Sequence, residues 1–225
     1  MIGYARAVRQ YGQSCALARA LDLIGDRWTL LIVRELSIRA CRYTDIRDGL
    51  SGIATNLLSE RLKSLEAAGI ITSEIAPPPI AAKLYRLSER GEELIPIISL
   101  IGRWGEPLMA ELRPNDEFRP RWIVPAARSI LTDLELSDLN PLEVVLEVDD
   151  EPITISVGHD GVDVGLGDRP QPDLRIACDG QTSVELLSGA TSLDAAIATG
   201  AANVTGNSTA RARFRRLAAR ANASV

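Results

Sequence analysis

Residues Ser51 to Gly69 read SGIATNLLSERLKSLEAAG, and this stretch decides how the rest of the chain is read. Ser51-Gly52 is a turn signal, Thr55 or Ser51 is placed to cap a helix, and Gly69 is a good helix stop. Between them the sequence predicts a helix of about four turns at 1.5 Å rise per residue. At about 100° per residue, Leu58, Leu62 and Leu65 share one stripe, which must face a core. Asn56, Glu60 and Lys63 fall opposite, with Thr55 and Ser59 on the flank. Short hydrogen-bonding side chains on the exposed N-terminal half of a helix suit the reading of base edges in a major groove. The same pattern also fits an ordinary amphipathic surface helix, so the neighbouring segments must decide.

Upstream, Tyr4 to Leu23 reads as helical, with Ala7, Tyr11, Cys15 and Ala18 roughly on one side. Gly25 punctuates it. Asp26 is then placed to cap a second helix, Arg27 to Ile38, whose apolar stripe is Trp28, Leu31, Ile32 and Leu36. Arg42-Tyr43-Thr44 leads into a short third helix ending near Gly49-Leu50. Downstream, Ile70 to Ile75 and Lys83 to Leu87 read as two strands. Between them Pro77, Pro78 and Pro79 donate no amide hydrogen and cannot lie in a paired strand. Helix, turn, helix, then a hairpin with a proline-rich tip is the outline of a winged helix-turn-helix.

Three segments carry a family resemblance: CALARALDLIGDRWTLLIVREL from Cys15, YTDIRDGLSGIATNLLSERLKSLEAAGII from Tyr43, and KLYRLSERG from Lys83. Together they resemble the HxlR-type winged helix-turn-helix transcriptional regulators, over roughly Cys15 to Met109. The chain departs from that pattern at Ala16, where the family usually has proline. The resemblance implies a three-helix core with a wing, a homodimer, and double-stranded DNA bound at an inverted-repeat operator. Ser88 to Leu112 reads as a further helix with Ser88 as its cap. Its face of Leu94, Ile97, Ile98, Ile101, Trp104 and Leu108 is wider than one small core needs. The resemblance implies that this face pairs with the N-terminal helix across a dimer; packing against a second domain of the same chain is the alternative.

The residues expected at DNA are Thr55, Asn56, Ser59 and Lys63 on the reading helix, with Arg61 and, from the wing, Lys83 as phosphate contacts. Cys15 stands where a helix N-terminus would lower a thiol pKa, if a helix starts there. Some members of the resembling family use a cysteine here as a redox switch. A free cysteine is also simply a small buried hydrophobe in many folds, so the thiol-sensing reading is an alternative.

The polar, proline-bounded stretch Arg113 to Pro120 reads as a linker. It divides a DNA-binding and dimerisation domain, residues 1–112, from a second domain, residues 121–225. There, Arg121 to Leu134 reads as an entering helix. Leu142 to Val148, Ile153 to Val157, Val162 to Leu166 and Asp173 to Cys178 alternate as strands, with His159-Asp160-Gly161 as a hairpin signal. Asp179, Ser192 and Asn207 are placed to cap three helices, and Ala201 to Thr205 is a last short strand. The fold class expected is α+β: a winged helix-turn-helix followed by an antiparallel sheet covered by helices. The segments LSG from Leu187, AAIATG from Ala195 and VTGN from Val204 resemble the sterol-carrier-like domain. That resemblance implies an apolar small-molecule ligand between sheet and helices, with Val144, Leu146, Val157, Leu187 and Ile197 among its lining residues.

Composition bounds the function. The 225 residues are 46% hydrophobic and 24% charged, as in ordinary globular chains. No apolar run reaches the ~18 residues of a membrane span, and a cytoplasmic location is expected. Aromatics at 4% disfavour a stacking surface for single strands. The formal charge of −5 is unevenly spread: Met1 to Arg90 holds 13 basic and 9 acidic residues, the remainder 12 and 21. A net +4 front and a net −9 back indicate modules with different partners. Cys15, Cys41 and Cys178 have no metal spacing and imply no disulfide framework. His159 is the only histidine, in a turn, with no nucleophile motif beside it. Neither catalysis, a metal nor a cofactor is expected. Arg211, Arg213, Arg215, Arg216 and Arg220 form a basic cluster on the last helix, read as a solvated face or an accessory phosphate contact. The reading reached is a dimeric, sequence-specific transcriptional regulator with a sensing domain. A lipid or small-molecule carrier whose winged helix contacts proteins is its rival.

Overall fold

The computed structural model describes residues 10–79, 81–105, 107–108, 116–131, 134–139, 141–159 and 161–223. The helical expectation for residues 4–9 and 109–112, and the linker residues 113–115, lie outside this set. The chain forms two compact units, Met1–Ile98 and Ser99–Val225.

In the front unit, helices α1 (Ala16–Ile24), α2 (Thr29–Ile38), α3 (Tyr43–Asp48) and α4 (Thr55–Ala67) enclose one core with a small sheet. Its strands β1 (Cys41–Arg42), β2 (Ile71–Ile75) and β3 (Lys83–Leu87) run in the order β1-β3-β2, all antiparallel. The apolar stripe of α4 does what its spacing predicts: Leu58, Leu62 and Leu65 are 0%, 2% and 2% exposed. They meet Ile32, Val33 and Leu36 of α2 and Ile46 of α3 in that core. Burying each such side chain contributes about 1.5–3 kcal/mol. Gly69 ends the helix with φ +71°, a conformation only glycine adopts without strain.

Three expectations change in detail. Among the described residues the first helix begins at Ala16, and residues 10–15 are not helical; Cys15 is its extended N-cap residue, with no side-chain cap bond. Gly12 at φ +66° breaks the run that the apolar spacing suggested. Neither Thr55 nor Ser51 caps α4: Thr55 is its first residue and Ala54 precedes it. The single helix expected from Ser88 is two, α5 (Glu89–Glu92) and α6 (Leu94–Gly105). Pro96 has no amide hydrogen, so it fits the opening turn of a new helix and cannot continue an old one. Ser88 does cap α5, accepting from the Gly91 amide at 3.1 Å, and its hydroxyl donates to the Gly69 carbonyl at 2.6 Å. A Cβ on Gly91 would collide with the Ile70 carbonyl oxygen. The SERG run is thus the stitch that fastens α5 to the end of α4.

In the rear unit, α7 (Ile123–Leu131) precedes strands β4 (Leu142–Val148), β5 (Glu151–Gly158), β6 (Gly161–Leu166) and β7 (Leu174–Cys178). Helices α8 (Gly180–Ser188) and α9 (Leu193–Thr199), strand β8 (Ala202–Gly206) and helix α10 (Ser208–Ala223) follow. The sheet order is β6-β5-β4-β7-β8. The α+β class holds, but the sheet is mixed: β4 and β7 run parallel, Val144 beside Leu174. The other pairings are antiparallel. Asp179 and Ser192 cap their helices through Thr182 and Ala195 amides, and Asn207 accepts from Ala210.

Candidate DNA-reading interface

The exposed side of α4 is set by its buried one. Thr55, Asn56, Glu60 and Lys63 are exposed, and Ser59 is half-buried at the flank. These are the side chains the sequence placed opposite the leucine stripe. They stand on a helix fixed by core packing, so any ligand they meet is met in a defined register.

Tyr43 was missed by the sequence reading. Its hydroxyl donates to the Thr55 carbonyl at 2.7 Å, and the Ser59 hydroxyl lies 3.4 Å from the Tyr43 oxygen. This holds the N-terminal turn of α4 to the start of α3. The aromatic-plus-hydroxyl choice at the head of α3 was the available signal.

Arg61 and Lys83, both expected at phosphates, have partners within the protein. Arg61 Nη2 is 2.6 Å from Asp26 Oδ2 in the turn before α2. Lys83 Nζ is 3.6 Å from Glu66 Oε2 and 4.9 Å from the Tyr85 ring centroid. Glu66 also accepts from the Ser73 hydroxyl. That bond first, and Lys83 second, hold its carboxyl below the usual carboxylate range. On the wing Arg86 pairs with Glu74 across β2 and β3. Lys83 is 44% exposed at its side chain and Arg61 only 24%, so of the two only Lys83 faces solvent broadly.

Elsewhere, α6 leaves a large apolar face open: Leu100, Ile101 and Trp104 are 63%, 47% and 78% exposed, and Leu108 just beyond is also exposed. Helix α1 exposes Leu17, Leu21 and Leu23. A cleft of about 120 Å³ lies between Ala20, Leu23 and Ile24 of α1 and Leu94 and Ile97 of α6. Cys15 is exposed at the head of α1, Cys41 is buried, and Cys178 is partly buried.

In the rear unit Val144, Leu146, Val157 and Leu187, expected to line a ligand site, are core residues at most 7% exposed, and Ile197 is half-buried. The arginines of α10 are committed within that unit. Arg215 pairs with Asp194, and Arg216 and Arg220 with Asp138; Arg213 donates to the Pro141 carbonyl and Arg211 to that of Val204. They lie on a solvated face of the helix, as one of the two readings from sequence has it, with Arg215 and Arg216 exposed, and they also clamp neighbouring elements. His159 lies exposed at the β5–β6 turn. Among the described residues no group of three His, Cys, Asp or Glu side chains could hold a metal ion, and no helix is long and apolar enough to cross a membrane.

A three-helix core, a two-stranded wing and an exposed polar face on the last core helix define a winged helix-turn-helix protein, of the DNA-binding, transcription-regulating class. Residues 23–112 match the HxlR-like helix-turn-helix family, and the chain belongs to it. It is 34% identical over 86 residues to the HTH-type transcriptional regulator YvaP of Bacillus subtilis, covering 38% of this chain and 80% of that one. To the regulator sll1512 of Synechocystis it is 32% identical over 94 residues, covering 42% and 70%. To YdzF of Bacillus subtilis it is 36% identical over 87 residues, covering 38% and 79%.

Proposed function

We propose that the protein binds an inverted-repeat operator as a two-fold dimer, with α4 of each protomer in successive major grooves about 34–36 Å apart. The observation that carries this is the division of α4: a leucine stripe fully buried, and Asn56, Thr55 and Lys63 fully outward beside half-buried Ser59. Asn56, Ser59 and Lys63 face base edges and Thr55 the backbone or a base. Lys83 approaches a phosphate from the wing. Arg61 holds the fold through Asp26, and it meets a phosphate only by sharing or leaving that partner. The open apolar faces of α6 and α1 supply the dimer contact. Clusters of exposed large apolar side chains of this kind mark surfaces of protein contact.

The functional division follows residues 1–112 for DNA binding and dimerisation, 113–120 as linker and 121–225 as sensor. The sensor takes an apolar small molecule between sheet and helices, near Val144, Leu146, Val157, Leu187 and Ile197. It changes operator affinity only by its preference for one dimer arrangement. No catalytic role is assigned, and the site of action is the cytoplasm, where the operator is. The test is operator titration of Asn56→Ala. A loss of roughly 1–3 kcal/mol confined to one base pair is expected. Unchanged affinity and selectivity would remove α4 from the groove. For the sensor, solvent extraction and mass spectrometry of the purified protein should yield an apolar molecule that shifts the titration; one that binds without a shift would make the rear unit a carrier.

A further inference from the structure

Tyr43 donates its only hydroxyl proton to the Thr55 carbonyl at 2.7 Å, since a carbonyl oxygen can only accept. The Tyr43 oxygen is left with lone pairs alone. Ser59 Oγ stands 3.4 Å from it, and that contact is a hydrogen bond only with Ser59 as the donor. The single proton of Ser59 is therefore directed into the protein, and the outward side of its oxygen carries acceptor capacity only.

We infer that Tyr43 fixes the hydrogen-bonding polarity of Ser59 and through it one base preference of α4. Ser59 accepts from an exocyclic amino group, adenine N6 or cytosine N4. While it donates to Tyr43 it has no proton to give to guanine O6 or thymine O4. The inference rests on α4 being the DNA-reading helix. Tyr43 is a positioning residue here and touches no base itself. Its ring packs against the front core, so phenylalanine keeps the packing and removes only the hydroxyl.

The experiment uses the whole protein. Selection from random duplexes gives the preferred operator of the wild type. Dissociation constants are then measured for every single base-pair change with the wild type, Ser59→Ala and Tyr43→Phe. Ser59→Ala should lose its preference at one base pair in each half-site. Replacing the amino-bearing base there by its desamino analogue should weaken the wild type about fivefold, one net hydrogen bond, and leave Ser59→Ala unchanged. In Tyr43→Phe the Ser59 proton is released and can be donated outward. The amino-to-carbonyl change at that pair should then cost little, while preferences elsewhere stay as in the wild type and the melting temperature falls by only the few degrees that one lost Tyr43–Thr55 hydrogen bond accounts for. A Tyr43→Phe profile identical to wild type at that pair overturns the inference. So does a uniform loss over all sequences, which would make Tyr43 merely structural, or a Ser59→Ala profile with no change anywhere. If the wild type enriches no sequence at all, the DNA-reading assignment itself falls, and the inference with it.

Discussion

Arg61 Nη2 stands 2.6 Å from Asp26 Oδ2, while Asp26 Oδ1 accepts from the Trp28 amide at 3.1 Å. One carboxylate thus holds both the turn before α2 and the middle of α4. The Arg61 and Asp26 side chains are 24% and 28% exposed, so the pair is only partly screened by water. Asp26→Asn should destabilise the protein by about 1–3 kcal/mol in urea unfolding, because it leaves a half-sheltered guanidinium without its charged partner. Adding Arg61→Met should cost less than the two single changes sum to, since the stranded charge goes with it. Arg61→Met should also leave the salt dependence of DNA binding unchanged. A slope lower by about one would return Arg61 to a phosphate.

The wing carries its own brake. In the proposed complex Lys83 meets a phosphate by loosening its hold on Glu66, 3.6 Å away. Lys83→Ala should weaken binding to every sequence alike and reduce the salt slope by about one. Glu66→Gln should act in the opposite sense: it removes a negative charge and frees the lysine, so affinity should rise at low salt and converge with wild type at high salt. Titrations over a series of salt concentrations check both.

Trp104, at 78% exposure the most open large apolar side chain of α6, tests the dimer. Trp104→Glu should convert the protein to a monomer by light scattering at micromolar concentration. Operator affinity should fall with it, because two half-sites are no longer bound together. A variant that remains dimeric would place the interface elsewhere.

The thiols should react in an order set by their surroundings. Cys15, exposed at the head of α1, should be alkylated first at neutral pH. Burial, with Asp179 and Asp149 adding to it, pushes the Cys178 thiol up to about 11. Its labelling should therefore stay slow until the pH nears that value. The folded state favours the protonated thiol, so this group adds stability that is complete below the usual 9.0 and lost as pH rises through about 11. Cys41, buried, should label only on unfolding. If oxidation of Cys15 alone changed operator affinity, the thiol-sensing reading would stand beside the dimeric regulator; mass spectrometry and titration of the Cys15→Ser protein decide it.

What could be read in advance was what is local. The period that put Leu58, Leu62 and Leu65 on one side belongs to a single helix, and so do the caps at Asp179 and Ser192. Contacts between distant segments left no such mark. Nothing in the spacing of Asp26 and Arg61, or of Glu66 and Lys83, distinguishes a paired cation from one free for phosphate. Tyr43 was legible as a helix start and not as the partner of Thr55 and Ser59. The sheet was read as antiparallel, and the parallel run of β7 beside β4 escaped that reading for a related reason: alternation of buried and exposed residues is the same whichever way a strand runs. Its parallel seat beside β4 follows from the segments around it.

Helix α10 buries Phe214, Leu217 and Ala221 to 1% exposure and packs on β4 and α8, yet it follows every strand of the sheet in the chain. During synthesis the strands emerge first, and their apolar face waits for a cover translated after them. The front unit closes on segments near one another in sequence. It is complete while its companion is still leaving the ribosome, so for a short interval the nascent chain carries a finished reading head and an unprotected sheet. Apolar sheet surface left open in that way is what makes a partly made chain prone to aggregate.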